Sequence, residues 1–235
     1  MIIDGKALAA ERAASLKLKV QSLEKKPKLA IVLVGDDEAS KIHVNLKVKK
    51  AQELGIEVEV RRDLNTNADG IIVQLPGGEN LIEQIPLEKD IDGLRGGSPF
   101  LPATVKGILE MLKQVQHDTQ GTFVIVGQGK LVGKPLADYL ERSGKNVIRC
   151  DVNTKNLKEE TLKGDILVVA TGKEKLITAD MVKPGATVID CGSPKPEVDF
   201  EHVKNIAGAI TPVPGGVGPM TVISLLENLV EAVKI

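Results

Sequence analysis

Aromatic side chains are nearly missing from this chain: no Trp, one Tyr and three Phe among 235 residues. Single-stranded nucleic acids are usually held by stacking bases on such rings, so the composition argues against that activity. An excess of either charge is lacking too. Lys and Arg number 31 against 32 Asp and Glu, and the net charge of −1 offers no general pull towards nucleic acid or an anionic membrane. Only two cysteines occur, Cys150 and Cys191, and neither stands at a zinc or disulfide spacing. Both are read as buried thiols of a reducing compartment, and no metal site is expected. No apolar run approaches the length of a membrane span and the N-terminus carries no signal-peptide pattern, so the expected location is the cytoplasm. What is present, 42% hydrophobic and 27% charged residues, suits an ordinary globular protein of one large or two small domains.

Helix-like and strand-like segments alternate almost throughout. Helices are expected over 5–25, 39–54, 105–115, 134–143 and about 221–233. Strands are expected over 29–35, 56–64, 70–75, 122–126, 146–150, 165–170, 187–190 and 206–210. This is α/β patterning with mostly parallel sheets, in two lobes. The polar stretch 114–121 separates two such series, and its His117 reads as a solvated linker residue. The expected division is a catalytic lobe of 1–113, completed by a C-terminal helix in 213–235, and a Rossmann-type nucleotide lobe of 114–212. One connection is odd. Only Asn65–Asp69 joins two β-like runs, whereas a parallel crossover needs a dozen or more residues. Those strands must pair antiparallel, lie apart in the sheet, or be partly misassigned.

In the second series, strand 123–126 leads into Gly127-Gln128-Gly129-Lys130-Leu131-Val132-Gly133 and then a helix. Strand, glycine turn and helix N-terminus together form a phosphate cradle, because the free N–H groups and the helix dipole face the anion. The next strand delivers Asp151, 24 positions after Gly127. A carboxylate there can accept both ribose hydroxyls and repels a 2′-phosphate, which favours NAD over NADP. Asp151 can instead cap the turn that follows. In the first series, Ser40, His43 and Lys47 fall within about 60° of helical arc, beside Val44, Ala51 and Leu54. Lys47 thus sits at the rim of a buried face, where lost hydration disfavours its ammonium form and readies it for proton transfer. A snorkelling surface lysine is the alternative.

The C-terminal string Thr211-Pro212-Val213-Pro214-Gly215-Gly216-Val217-Gly218-Pro219-Met220-Thr221 makes a stiff, bare-backboned loop that delivers a helix N-terminus. It closely resembles the signature of the bifunctional methylenetetrahydrofolate dehydrogenase/cyclohydrolase family. Four further strings extend the likeness over nearly the whole chain: Ser40 to Lys47, Gly70 to Pro76, Lys89 to Gly93, and Gly127 to Pro135.

The resemblance implies oxidation of 5,10-methylenetetrahydrofolate with NAD or NADP, then hydrolysis of the methenyl product to 10-formyltetrahydrofolate. One-carbon supply, including that for purine biosynthesis, is the implied setting, and a homodimer the implied assembly. It implies Lys47 as the catalytic lysine, Gln74 as its hydrogen-bond partner and Asp92 as the residue that recognises the pterin. His43, Leu75, Pro76, Pro214, Gly215 and Gly216 would contact the folate, between the lobes. Gly127, Gln128, Gly129, Val132, Gly133, Asp151, Val152 and Ser193 would contact the dinucleotide. The chain departs from the family's pattern in places. His43 replaces a tyrosine that lies against the folate, which bears on the hydrolytic step. Gln128-Gly129 and Asp151-Val152 replace Arg-Ser and His-Ser pairs, which removes groups that hold a 2′-phosphate. Family members also usually carry a helix where 65–69 runs. A dehydrogenase without the hydrolytic step, and a non-catalytic folate- or nucleotide-binding relic, are the alternatives.

Overall fold

A computed structural model describes residues 1–115 and 121–234; most of the linker 114–121, His117 included, lies outside them. The chain forms two compact units. One comprises Met1–Leu8 with Thr104–Thr221, the other Ala9–Ala103 with Val222–Ile235. This division cuts the sequence at 103/104 and 221/222, against the expected cuts at 113/114 and 212/213. It also gives the first eight residues to the nucleotide unit, because the N-terminal strap bonds there: Ile3 N–H donates to Ile210 O at 2.9 Å and Lys6 N–H to Gly215 O at 2.8 Å.

Helix α1 (Gly5–Gln21) leads into the unit that carries Lys47. There β1 (Lys28–Leu33), α2 (Glu38–Glu53), β2 (Glu57–Arg61), β3 (Gly70–Gln74) and the short α3 (Glu79–Ile82) follow in order. The sheet order is β2-β1-β3, and both pairings are parallel. Thus β2 and β3 lie apart with β1 between them, which is how the short connection is possible. The link from Arg62 to Asp69 crosses β1 as an extended strap pinned to it, with Lys28 N–H donating to Asp69 Oδ2 at 2.8 Å and Asp69 N–H to Lys28 O at 2.9 Å. Its Ala68 enters the apolar cluster of Ala30, Val32, Ile71, Val73 and Ile85 and takes up part of the packing a helix would provide. Asp37 caps α2 by accepting the Ser40 N–H at 2.7 Å, and Gly55, at φ +83°, turns the chain out of the helix in the left-handed region.

Ala103–Leu112 forms α4, and the nucleotide unit then runs β4 (Phe123–Val126), α5 (Gly133–Arg142), β5 (Val147–Cys150), α6 (Leu157–Thr161) and β6 (Ile166–Val169). It continues with β7 (Thr187–Asp190), α7 (Phe200–Val203), β8 (Ala209–Ile210) and the start of α8 (Val217–Ala232). Its sheet has the order β5-β4-β6-β7-β8, parallel throughout. β4 and β6 are buried along their whole length, as their unbroken apolar runs require, and β7 is equally buried although it begins at Thr187 and ends at Asp190. Strand order reverses between β4 and β6, and ligands of such sheets bind at the carboxyl ends beside that reversal.

Three expectations need correcting. β8 is two residues long rather than five, because Val203 and Ile206 close the last turn of α7 with an N–H···O bond of 2.9 Å. α8 begins at Val217, so Gly218 and Pro219 lie in its first turn, where a missing proline N–H leaves no helical bond unmade. Cys150 is buried, but Cys191 is only partly so. No helix among the described residues is long and apolar enough to cross a membrane.

Candidate active site

α2 and β3 bring two residues far apart in sequence to one point. Lys47 Nζ donates to Gln74 Oε1 at 2.8 Å. Gln74 is buried at the carboxyl end of β3, and its Nε2 donates to Leu75 O at 2.8 Å. That second bond fixes the amide: with the NH2 group committed to a carbonyl, only the oxygen can face the lysine. Asp92 joins them electrostatically. Loss of hydration holds the Lys47 ammonium below the ordinary lysine range, while the Asp92 charge pulls the other way. Asp92 is pushed above the usual carboxylate range, first by desolvation and also by the charge of Asp90, with Lys47 opposing.

The loop bearing Asp92 is held at both ends from α8. Asn228 Nδ2 donates to Ile91 O at 2.9 Å and to Leu101 O at 3.0 Å. Gly70, at the start of β3, packs where a Cβ would come within 2.7 Å of Leu229. On α2, Ser40, Val44 and Ala51 are buried, whereas His43 and Lys47 lie half-buried one turn apart on the same face. Leu75-Pro76, a cis peptide, continues directly from Gln74. An amine with weakened hold on its proton, an amide that fixes one of its N–H bonds and a nearby carboxyl can together move a proton at a bound electrophile.

The nucleotide unit carries the glycine turn. Gly127, at φ +95°, ends β4, and a Cβ there would sit 2.2 Å from Ala170 O. A Cβ on Gly133 would sit 1.7 Å from Gly127 O, so only glycine lets α5 begin this close to the strand end. Gly129 has open space where a Cβ would stand, so a ligand can approach its backbone closely on that side. Val132 precedes the first turn of α5 without a side-chain cap; there Lys134 N–H is tied back to Gly129 O at 3.1 Å and Pro135 has no N–H, which leaves the Gly133 end of the turn to meet a phosphate. A dinucleotide fits such a turn.

Other members of the expected set have other attachments. Gln128 turns back, its Nε2 donating to Ile125 O at 3.1 Å while its Oε1 accepts from Arg149 at 3.5 Å. Asp151 forms the capping turn weighed as its alternative, accepting the Asn153 N–H at 2.8 Å, while Val152 is highly exposed. Ser193, cis to Pro194, lines an open cavity of about 400 Å³ beside Cys191, Gly172 and Glu197. The Val213–Pro214 peptide is cis as well, and Gly5 packs against the Gly215-Gly216 backbone. Sequence reasoning overlooked Ala170-Thr171-Gly172. It is a glycine turn at the end of β6, the same signal that marked Gly127.

Fold and site define the class: a protein that pairs a Rossmann-type dinucleotide-binding sheet with a second α/β unit bearing a desolvated lysine. Comparison with known proteins narrows it. Residues 102–235 match the tetrahydrofolate dehydrogenase/cyclohydrolase NAD(P)-binding domain, and residues 3–66 match the catalytic domain of the same family. The chain belongs to the tetrahydrofolate dehydrogenase/cyclohydrolase family. It is 42% identical over 275 aligned positions to the bifunctional protein FolD of Nitrosospira multiformis, covering 99% of this chain and 96% of that protein. Since this chain has 235 residues, about 40 of those positions have no counterpart here. The catalytic-domain match stops inside the short Arg62–Asp69 strap.

Among solved structures, the bifunctional FolD dehydrogenase/cyclohydrolase of Campylobacter jejuni matches with a TM-score of 0.92 and 35% identity, covering 100% of this chain and 98% of that one. The Trypanosoma brucei dehydrogenase-cyclohydrolase, solved with NADP and an inhibitor, matches with a TM-score of 0.92 and 27% identity, covering 100% and 97%.

Proposed function

We propose that this chain oxidises 5,10-methylenetetrahydrofolate with a nicotinamide dinucleotide and then hydrolyses the methenyl product to 10-formyltetrahydrofolate. The observation that carries this reading is the 2.8 Å bond from Lys47 Nζ to a buried, orientation-locked Gln74. When bound, the dinucleotide accepts the hydride. Everything else falls to the chain's own side chains. Burial lowers the cost of deprotonating Lys47, so at neutral pH its amine exchanges protons more readily than a solvated lysine. Gln74 holds that amine at one angle, and Asp92 binds the N–H edge of the pterin. His43, Leu75, Pro76, Pro214, Gly215 and Gly216 supply the flat contacts for the folate.

Gly127, Gly129, Gly133, and the backbone of Gln128 and Val132, hold the pyrophosphate; Asp151, Val152 and Ser193 contact the rest of the dinucleotide. We favour NAD over NADP. Asp151 puts negative charge after β5, and the adjacent cation is already engaged: Arg149 pairs with Asp138 and Glu141, each at 2.6 Å. We further infer a cytoplasmic homodimer. One edge of β2 is free of strand partners among the described residues and carries an exposed Val60, which gives a second copy a place to pair.

Lys47→Met is the deciding experiment. Methenyl hydrolysis should fall by about 10²-fold or more while folate binding in calorimetry persists. Undiminished hydrolysis removes Lys47 from the mechanism. Rates measured with each nicotinamide test the cofactor preference, and faster reduction of NADP overturns it.

A further inference from the structure

The glycine turn has a wall that none of the dinucleotide-contacting residues above provides. Gly127 ends β4 against the chain leaving β6, where a Cβ would lie 2.2 Å from Ala170 O and 3.1 Å from Thr171 Cγ2. Between those two strands the sheet order reverses, so Ala170–Gly172 forms the second lip of the crevice in which a dinucleotide lies. That lip is held by one buried side chain. Glu197, 4% exposed, accepts the Thr171 Oγ1–H at 2.7 Å, the Gly172 N–H at 2.9 Å and the Thr171 N–H as well. Glu197 is anchored in turn. Its own N–H donates to Asp190 Oδ2 at 3.0 Å, and Asp190, at the end of β7, also accepts from Gly192 and Val198. A chain of carboxylates therefore runs from the end of β7 through Glu197 to the end of β6, and so to Gly127.

We infer that Glu197 is the positioning residue that sets the width of the dinucleotide crevice, acting through Thr171 and Gly172 without touching the ligand. The inference rests on dinucleotide binding by this unit. Both lips matter because the pyrophosphate must meet bare N–H groups at hydrogen-bond distance, and a lip that shifts by a few tenths of an ångström spoils that fit. Only a carboxylate satisfies the arrangement. Its two oxygens take three donors on separate sides, whereas a glutamine would turn its NH2 towards at least one fixed backbone N–H, leaving two donors face to face.

The test is Glu197→Gln, with Thr171→Val as its partner. Dissociation constants for NADH and NADPH are read by nicotinamide fluorescence, and methenyltetrahydrofolate hydrolysis, which consumes no dinucleotide, is read beside them. Glu197→Gln should weaken the better-bound dinucleotide by about tenfold, raise its KM with little change in kcat, and leave hydrolysis within about twofold of wild type. Thr171→Val should weaken it by about threefold, and the double variant should be no worse than Glu197→Gln alone, because both cut one chain of contacts. Unchanged dissociation constants in both variants overturn the inference. So does a Glu197→Gln variant that loses hydrolysis and binding together while Thr171→Val binds normally. Wild-type protein that binds neither dinucleotide overturns instead the reading on which the inference rests.

Discussion

Lys47 and Asp92 push each other in opposite directions, and that opposition fixes a pH signature. Burial draws the lysine below its ordinary range, and the Asp92 charge is the force that resists. Removing the charge with Asp92→Asn must let the lysine fall further, since only the desolvation cost then remains. If neutral Lys47 serves the hydrolytic step, the limb on which methenyl hydrolysis rises with pH should move to lower pH in this variant, measured at saturating substrate. A limb moving to higher pH contradicts the coupling. The lysine's place at the rim of a buried helix face was legible in the sequence, although a snorkelling surface lysine stayed open there and the family resemblance is what singled it out. Its partner was not, because Gln74 and Lys47 are 27 residues apart and only the folded sheet end brings them together. The resemblance to a known family supplied that pairing. Asp151 shows the reverse case. Its capping turn to Asn153 was weighed from local sequence alone, and a contact two residues away is what local reasoning can reach.

At the level of elements, the glycine turn tolerates no side chain where β4 meets α5. Gly133→Ala places a methyl 1.7 Å from a backbone oxygen, so strand end or helix start must move. Overpacking of this kind should cost about 1–3 kcal/mol, seen as a lower urea midpoint. NADH binding should fall with it while methenyl hydrolysis survives; unaltered NADH affinity would show that α5 can shift harmlessly. Long elements were readable from periodicity, and β4 and β6 stood out as unbroken apolar runs. α3, α6 and α7 were not anticipated. Each is only four or five residues long, too short for a 3.6-residue period to repeat. The sequence pattern starts α8 four residues late, because a stretch with three prolines and three glycines reads as loop, although the helix's first turn accommodates one of each.

For the molecule as a whole, the chain is shorter than a curated relative that it matches along nearly its whole length. About 40 positions present in a close relative are missing, and the Arg62–Asp69 strap stands where an expected helix would run. Asp69 does much of the fastening, bonding Lys28 N–H and pairing with Lys25 at 2.7 Å. Asp69→Ala should destabilise the protein by about 1–2 kcal/mol, since it strands a partly buried N–H at the start of β1. Urea unfolding measures this, and an unchanged midpoint would mean that the Asp69 side chain adds nothing to the fastening. The sequence pattern exposed the anomaly of a connection too short for a crossover. It could not say which of three resolutions applied, because strand order is set by packing rather than by local pattern.

The interleaving of the two units bears on how the chain is made. Residues 1–8 belong with 104–221, and 222–235 belong with 9–103, so both units are stitched from distant stretches. Asn228, which steadies the Asp92 loop, comes 137 residues after Ile91 and 127 after Leu101, whose carbonyls it holds. The half that is made first must therefore wait, unfinished, until that distant stretch has been synthesised, and the lysine that defines the chemistry gains its settled surroundings only then.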